Sequence, residues 1–373
     1  LSMKRGDRAI PIAMPWVGKD ELQAIRRVLL SRWLGQGPKV EEFERSFARY
    51  IGTRFAVAVS SGTAALHLAL LAHDIGPGDE VIVPTFTYIA TANAVLYTGA
   101  KPTLVDIDPY TYNIDPIGVK KALTRRTKAM IPVHYAGQPA EMDRLMEIAG
   151  EYGLILIEDA AEAHGAIYKG RKVGSIGDAG CFSFAWNKNL TTGEGGMVTI
   201  DDEDSAIIIQ SLRNHGKARG GKRGARLGYN YKMTDVQAAL GNVQLKKLER
   251  TIARRVGKAR YMSSKLRRMK GIVPPVESSD IRHVYQMYTI RVKAKEAGIS
   301  RDNLMEYLNS RGIDSRVYFH PLHLQPPFIT GRRSHSFPIA EDAAKEVLTL
   351  PLYPELKVRD IDFIIRTIKA VIK

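Results

Sequence analysis

The chain has 373 residues, 45% hydrophobic and 25% charged, with a formal net charge of +16. That balance excludes a disordered chain and is long enough for one large core plus a second, smaller domain. A single cysteine, Cys181, excludes an intramolecular disulfide, a paired-thiol redox motif and a cysteine-based zinc site.

The opening LSMKRGDRAIPIAMPW lacks the apolar core of a signal peptide, and no apolar run approaches the length of a membrane span. A cytoplasmic protein is therefore expected, with Leu1-Ser2 ahead of Met3 read as a cloning remnant. From residue 55 to about 200, short β-branched runs alternate with longer helical segments. FAVAVS (55–60) leads into GTAALHLALLAH, EVIVP (80–84) into IATANAVLYTG, PTLVDI (102–107) into DPIGVKKAL, and KAMIPV (128–133) into AEMDRLMEIAGEYG. LILIED (154–159) follows, and GDAGCFSF and GGMVTI read as two further strands that complete the sheet. Repeated strand and helix units predict an α/β fold, a mostly parallel sheet sandwiched by helices. In such sheets ligands gather beyond the carboxyl ends of the strands.

The segment 233–269 has apolar residues at helical spacing and is long enough to connect two domains. Residues 1–250 are expected to form the large domain and 251–373 a small α+β domain. In the latter, VYQMYTIRVK reads as a strand and SRDNLMEYLNSRG as a helix capped by Ser300 and stopped by Gly312. AAKEVLTLP and VRDIDFIIRTIKAVIK read as further helices. Most of the basic excess lies in NHGKARGGKRGAR (214–226), read as a mobile loop, and in 245–270, read as a helix with a solvated face. A solvated surface or an anionic small substrate accounts for this pattern better than nucleic acid.

Three places carry chemistry. Ser61-Gly62-Thr63 ends a strand and opens a helix, which presents free amides and a positive dipole to an anion, although the same residues also cap ordinary helices. Glu158-Asp159 puts acids at the carboxyl edge of the sheet, where one can cap the next element, pair with a cation or hold a ring nitrogen protonated. Metal is disfavoured, because His164 is the only nearby imidazole and no spaced carboxylate cluster joins it. Lys188, in FSFAWNKNLTTGEGG, is by its surroundings a loop lysine or a Schiff-base former. The chain order favours the second: an anion-binding helix start, aromatics after the next strand (Phe86, Tyr88), an acid after a later one, then Ser183 and Lys188.

The chain resembles the sugar aminotransferases of the DegT/DnrJ/EryC1/StrS type over nearly its whole length. The blocks that carry the resemblance are SRWLGQGPKVEEFERSFARYIG, SSGTAALHLAL, GPGDEVIVPTFTYIATANAV, DAAEAHGA, GDAGCFSF, NKNLTTGEGG, LGYNYKMTDVQAALG and YFHPLHLQPPF. The run NKNLTTGEGGMV is most similar to the perosamine-synthase-type 4-aminotransferases. The resemblance implies the fold-type-I aminotransferase scaffold and pyridoxal 5'-phosphate as cofactor. It implies that Lys188 carries the cofactor as a Schiff base and moves the proton, that Asp159 pairs with the pyridinium nitrogen and that Tyr88 stacks on the ring. Gly62, Thr63 and Ser183 would hold the phosphate, Glu162 would contact the ring hydroxyl, and Asn230 would reach the phosphate in the neighbouring subunit of a homodimer.

The expected partners are a nucleotide-linked keto sugar and an amino-acid donor, glutamate, with Arg316, His320 and the loop from 215 to 226 as diphosphate contacts. Some relatives replace the lysine by histidine and act as dehydratases; this chain keeps it, which favours transamination. A dehydratase, an aminotransferase on a non-nucleotide sugar or cyclitol, and an inactive basic binding protein on the same scaffold are the alternatives. Two departures from the family pattern are Ala136, where bulkier residues are usual, and Ala185-Trp186, which leave the sugar unspecified.

Overall fold

The computed structural model describes residues 9–218, 226–277, 280–326, 328 and 336–372. Two helices come first, α1 (Lys19–Ser31) and α2 (Pro38–Ile51). The alternating region follows as β1 (Phe55–Val59), α3 (Gly62–Ala72), β2 (Glu80–Pro84), α4 (Ala90–Tyr97), β3 (Lys101–Val105), α5 (Pro116–Ala122), β4 (Thr127–Met130), α6 (Met142–Tyr152) and β5 (Ile155–Asp159). A small β6 (Ile167–Tyr168) and β7 (Arg171–Lys172) precede β8 (Ala179–Ser183), β9 (Gly196–Ile200) and α7 (Glu203–Leu212). The long α8 (Asp235–Leu266) leads to β10 (Ile272–Val273), β11 (Ile281–Arg282), β12 (Tyr288–Val292), α9 (Ala294–Ala297) and α10 (Arg301–Asn309). The described elements close with α11 (Pro338–Glu346), β13 (Val347–Leu350) and α12 (Val358–Lys369).

The large sheet runs β1-β9-β8-β5-β4-β2-β3 and is parallel except for β9, which pairs antiparallel with both neighbours. Alternate residues of each strand serve opposite cores. Ala56, Ala58, Ile82, Met130, Leu156 and Phe182 pack toward α2 and α8, while Val57, Val59, Val81, Val83, Ile157 and Cys181 pack toward α3, α4 and α7. Burial on both faces is why these strands are continuous apolar runs. Where β9 passes the start of α3 the contact is tight: a Cβ on Gly196 would sit 2.3 Å from the Ser61 carbonyl oxygen. Gly196→Ala is therefore expected to cost about 1–3 kcal/mol, as overpacking does, read as a lower midpoint in urea unfolding.

Helix α8 spans two cores. Ala238, Leu248 and Ile252 belong to the large one, whereas Ala259, Met262 and Leu266 belong to a C-terminal core with Tyr288, Ile290, Leu348, Leu350 and Ile364. Its start is fixed by a capping box in which Thr234 Oγ1 accepts the Gln237 amide and Gln237 Oε1 accepts the Thr234 amide. Ile10 joins the C-terminal core by bridging to Ile313.

AAKEVLTLP is not one helix. Helix α11 ends at Glu346, and Val347–Leu350 pairs antiparallel with β12. The apolar, β-prone VLTL sequence is buried throughout, so tertiary pairing overrides the helical start given by Ala-Ala-Lys-Glu. The strand read over 284–293 forms only from Tyr288, because Tyr285 turns through a left-handed φ of 48°. Helices α1, α2 and α7 were not foreseen from the local pattern. Seven residues of the basic loop, 219–225, lie outside the described residues.

Candidate active site

The end of β1 passes through Ser60 and Ser61 into α3. Ser61 Oγ accepts the Ala64 amide at 3.1 Å and the Ser61 carbonyl accepts that of Ala65 at 3.0 Å. The Gly62 and Thr63 amides are the first two of the helix, which have no intrahelical acceptor and sit at its positive end. Gly62 lies against the end of β8: a Cβ there would meet Ser183 Cβ at 2.8 Å. The free amides of Gly62 and Thr63 thus open α3 where Gly62 lies against Ser183, an arrangement suited to an anion, and the glycine is what lets strand and helix approach.

The two acids ending β5 point to opposite sides, as strand geometry requires. Glu158 is fully buried and accepts the amides of Gly174 at 2.8 Å, Ile176 at 2.7 Å and Gly177 at 2.9 Å, together with His134 Nε2 at 3.0 Å. His134 Nδ1 accepts the Ala140 amide at 3.1 Å, so its proton is on Nε2 and faces the carboxylate. Burial alone would raise the Glu158 carboxyl, yet His134 and the amides hold it below the ordinary 4.5. A depressed carboxyl stabilises the fold above the unfolded-state value and loses that contribution as pH falls through the lower folded-state value. Glu158→Gln is expected to cost about 2 kcal/mol at pH 7, with the gap to the parent protein narrowing below pH 4.5 in urea unfolding.

Asp159 faces the other way and is 5% exposed. Its Oδ2 accepts the Thr91 hydroxyl at 2.8 Å and its Oδ1 the Ala161 amide at 3.2 Å. Burial pushes its carboxyl up, opposed by Thr91, Ala161 and the charge of Lys188.

Lys188 sits on the loop between β8 and β9. Within the loop, the amides of Lys188 and Thr192 donate to the carbonyls of Ala185 and Phe184. From outside, Gln286 Nε2 donates to the Asn187 carbonyl at 2.8 Å and Asn189 Nδ2 to that of Val284 at 3.4 Å. The turn at Tyr285 places these partners. Lys188 Nζ, on a side chain 13% exposed, donates to Glu162 Oε1 at 3.2 Å, and Glu162 Oε2 accepts the Ala136 amide at 2.9 Å. Ala136 itself has a left-handed φ of 55°, and its amide is thereby part of the site. His164 is buried beside Phe182 and Phe184, and burial with the Lys188 charge lowers its pKa to about 3. It is a neutral ring packed behind the lysine.

Of the two aromatics after β2, Phe86 is core, packed on Tyr112 and Tyr135, whereas Tyr88 is 61% exposed with its ring 6.0 Å from that of Phe319. Asn230 is exposed and accepts a hydrogen bond from Lys232 Nζ, which also lies 3.2 Å from His215 Nε2. Arg316 is committed to a two-pronged pair with Asp314 at 3.0 and 2.9 Å, and His320 is exposed, with its carbonyl accepting Gln325 Nε2. Sequence reasoning passed over His323, three residues on, whose Nδ1 lies 2.7 Å from Thr85 Oγ1 and whose Nε2 lies 3.3 Å from Glu341 Oε1. It also passed over Thr91 and the Asn187–Gln286 contact, since residues so far apart in sequence give no local signal.

A cradle of helix-start amides, a buried carboxylate and an enclosed but reachable amine suit a phosphorylated pyridine aldehyde, which needs an anion site, a partner for its ring nitrogen and a nucleophile. The model of the DegT/DnrJ/EryC1/StrS aminotransferase family matches residues 15–369. The chain is 42% identical over 366 residues to GDP-perosamine synthase of Caulobacter vibrioides, covering 97% of this chain and 98% of that protein. Among solved structures, the PLP form of the putative sugar aminotransferase Spr1654 from Streptococcus pneumoniae superposes with a TM-score of 0.91 at 32% identity, covering 98% of each chain. DesI in the presence of its TDP-sugar product matches at a TM-score of 0.92 and 34% identity, over 98% of this chain and 93% of that one. The chain belongs to the DegT/DnrJ/EryC1/StrS aminotransferase family and is a pyridoxal-phosphate-dependent sugar aminotransferase.

Proposed function

We propose that this aminotransferase moves an amino group from an amino acid, glutamate, to a keto sugar carried on a nucleotide. The observation that carries the site assignment is Lys188, enclosed and hydrogen-bonded to Glu162, on a strand-to-strand loop where its charge acts on the buried Asp159. Gly62 and Thr63 amides with Ser183 Oγ would hold the cofactor phosphate, Asp159 would pair with the ring nitrogen, Tyr88 would cover the ring and Glu162 would reach the ring hydroxyl. When bound, the cofactor supplies an electron sink for the bond broken at Cα of the amino donor. Lys188, as free amine, would take the proton from that Cα and return it to the carbon on the other side of the bridging nitrogen, and the same amine would run the reverse transfer once the sugar has entered. Glu162 orients Nζ and accepts its hydrogen bond while it is charged.

A nucleotide diphosphate gives the +16 surplus a use. Support for the nucleotide comes from the relatives, GDP-perosamine synthase and DesI with its TDP-sugar product. Arg316 joins the diphosphate by exchanging Asp314 for it, and His320 is available at the surface. The enzyme works as a cytoplasmic homodimer in which Asn230 of each subunit serves the cofactor phosphate of the other. No described helix is long and apolar enough to cross a membrane.

The test is glutamate-dependent turnover across GDP-, dTDP- and UDP-linked keto sugars, with free keto sugars and cyclitols alongside. Amination of a nucleotide-linked substrate is expected. Turnover confined to free sugars overturns the nucleotide, and loss of water without amination overturns the transfer.

A further inference from the structure

Asp159 does not face its pocket alone. Thr91, in the first turn of α4, donates Oγ1 to Asp159 Oδ2 at 2.8 Å, and Thr87 Oγ1 lies 3.0 Å from Thr91 Oγ1. All three side chains are shut from solvent, at 2% exposure for Thr87, 1% for Thr91 and 5% for Asp159. A threonine in a helix usually gives its hydroxyl proton to the carbonyl four residues back. For Thr91 that residue is Thr87, and the proton goes instead to a carboxylate 68 residues away.

Each hydroxyl has one proton to give and lone pairs to receive. The Thr91 proton is spent on ionised Asp159, so the proton between the two threonines belongs to Thr87. The run therefore has one direction, Thr87 to Thr91 to Asp159, with the positive ends of both dipoles turned toward the carboxylate. A protonated Asp159 keeps acceptor capacity, but it accepts the Thr91 hydroxyl more weakly than the carboxylate does, so the bond favours the ionised form. Hydrogen bonds in series at low dielectric strengthen one another.

The geometry points to Thr91, backed by Thr87, as a positioning residue that holds Asp159 ionised and aimed for the ring nitrogen of the cofactor. It is needed because the site works against the charge: burial raises the Asp159 carboxyl and the neighbouring charge of Glu162 adds to this, while Thr91, the Ala161 amide and Lys188 oppose it. Thr91 is the uncharged side chain on the opposing side. This rests on the reading of Asp159 as the ring nitrogen's partner.

The experiment uses holoenzyme of Thr91→Val, Thr91→Ser, Thr87→Val and Asp159→Asn, following loss of pyridoxal phosphate on dilution through its visible absorption, with kcat, KM and Tm in parallel. Thr91→Val keeps the shape and removes the donor; it is expected to release cofactor about tenfold faster and to lower kcat by a similar factor at unchanged KM. Thr91→Ser should return to within about twofold of the parent, and Thr87→Val should fall between, because it removes the backing and leaves the final bond. Thr87→Val also carries the test should Thr91→Val fail to fold. A Thr91→Val protein with lowered Tm but parental release and kcat reduces the hydroxyl to packing and overturns the proposal. Asp159→Asn separates the layers: faster release there with a parental Thr91→Val sinks the hydroxyl run alone, whereas parental release and kcat in Asp159→Asn sink the assignment of Asp159.

Discussion

Lys188→Ala is expected to abolish transamination, lowering kcat by at least about 10⁴-fold, because it removes both the covalent attachment and the amine that shuttles the proton. The fold should survive, since Glu162 keeps the Ala136 amide at 2.9 Å when Nζ is gone. Lys188→Arg is the sharper control. It retains a cation near Glu162 but cannot lose its proton, so it should be as inactive as alanine. Single-turnover mixing of holoenzyme with glutamate, followed through the cofactor's visible absorption, checks both variants. A Lys188→Ala protein within tenfold of the parent would remove Lys188 from the chemistry.

Asp159→Asn carries the second large effect, and activity and stability should move in opposite directions. An amide cannot hold a ring nitrogen protonated, so kcat is expected to fall by about 10²–10³-fold, the scale of losing one aligned electrostatic contact in a closed site. The fold gains. Because burial raises the Asp159 carboxyl above the ordinary 3.8, the protein without cofactor loses stability as pH climbs from that value through the higher folded-state one. Asparagine escapes that cost, so cofactor-free Asp159→Asn should unfold at equal or higher temperature at neutral pH, with the advantage vanishing on acidification. With cofactor bound, the pyridinium neutralises the charge and the advantage should reverse. Thermal unfolding with and without pyridoxal phosphate, across pH, separates the two signs.

The parallel strands were legible because burial on both faces writes them as unbroken apolar runs, and Lys188, Asp159 and the Ser61-Gly62-Thr63 start stood at their carboxyl ends. Helix α2 shows a signal that was present and unread: Val40, Phe43, Phe47 and Ile51 form its buried face at helical spacing, but Gly37 and Pro38 at its start resemble a turn. AAKEVLTLP misled because its first half prefers helix and its second half is claimed by β12, which no short window contains. Thr91 and His323 were out of reach for a further reason. Their partners, Asp159 and Thr85, are brought to them by the sheet order, and sequence distance carries no trace of that. Glu158 could be placed at the strand end, but its role as a sink for three amides and an imidazole depends on a loop that returns from residues 174–177.

Glu158 and Asp159 are neighbours on one strand with unrelated duties, one buried in structure and one open to chemistry, and only the pleat keeps them apart. That makes β5 a parity device. Deleting or inserting a single residue upstream in the strand would exchange the two carboxylates, presenting the site with a group whose partners lie on the far side and the core with one that has none. Substitutions can therefore address either acid separately, whereas a one-residue change in the length of β5 is expected to disrupt both the core and the site.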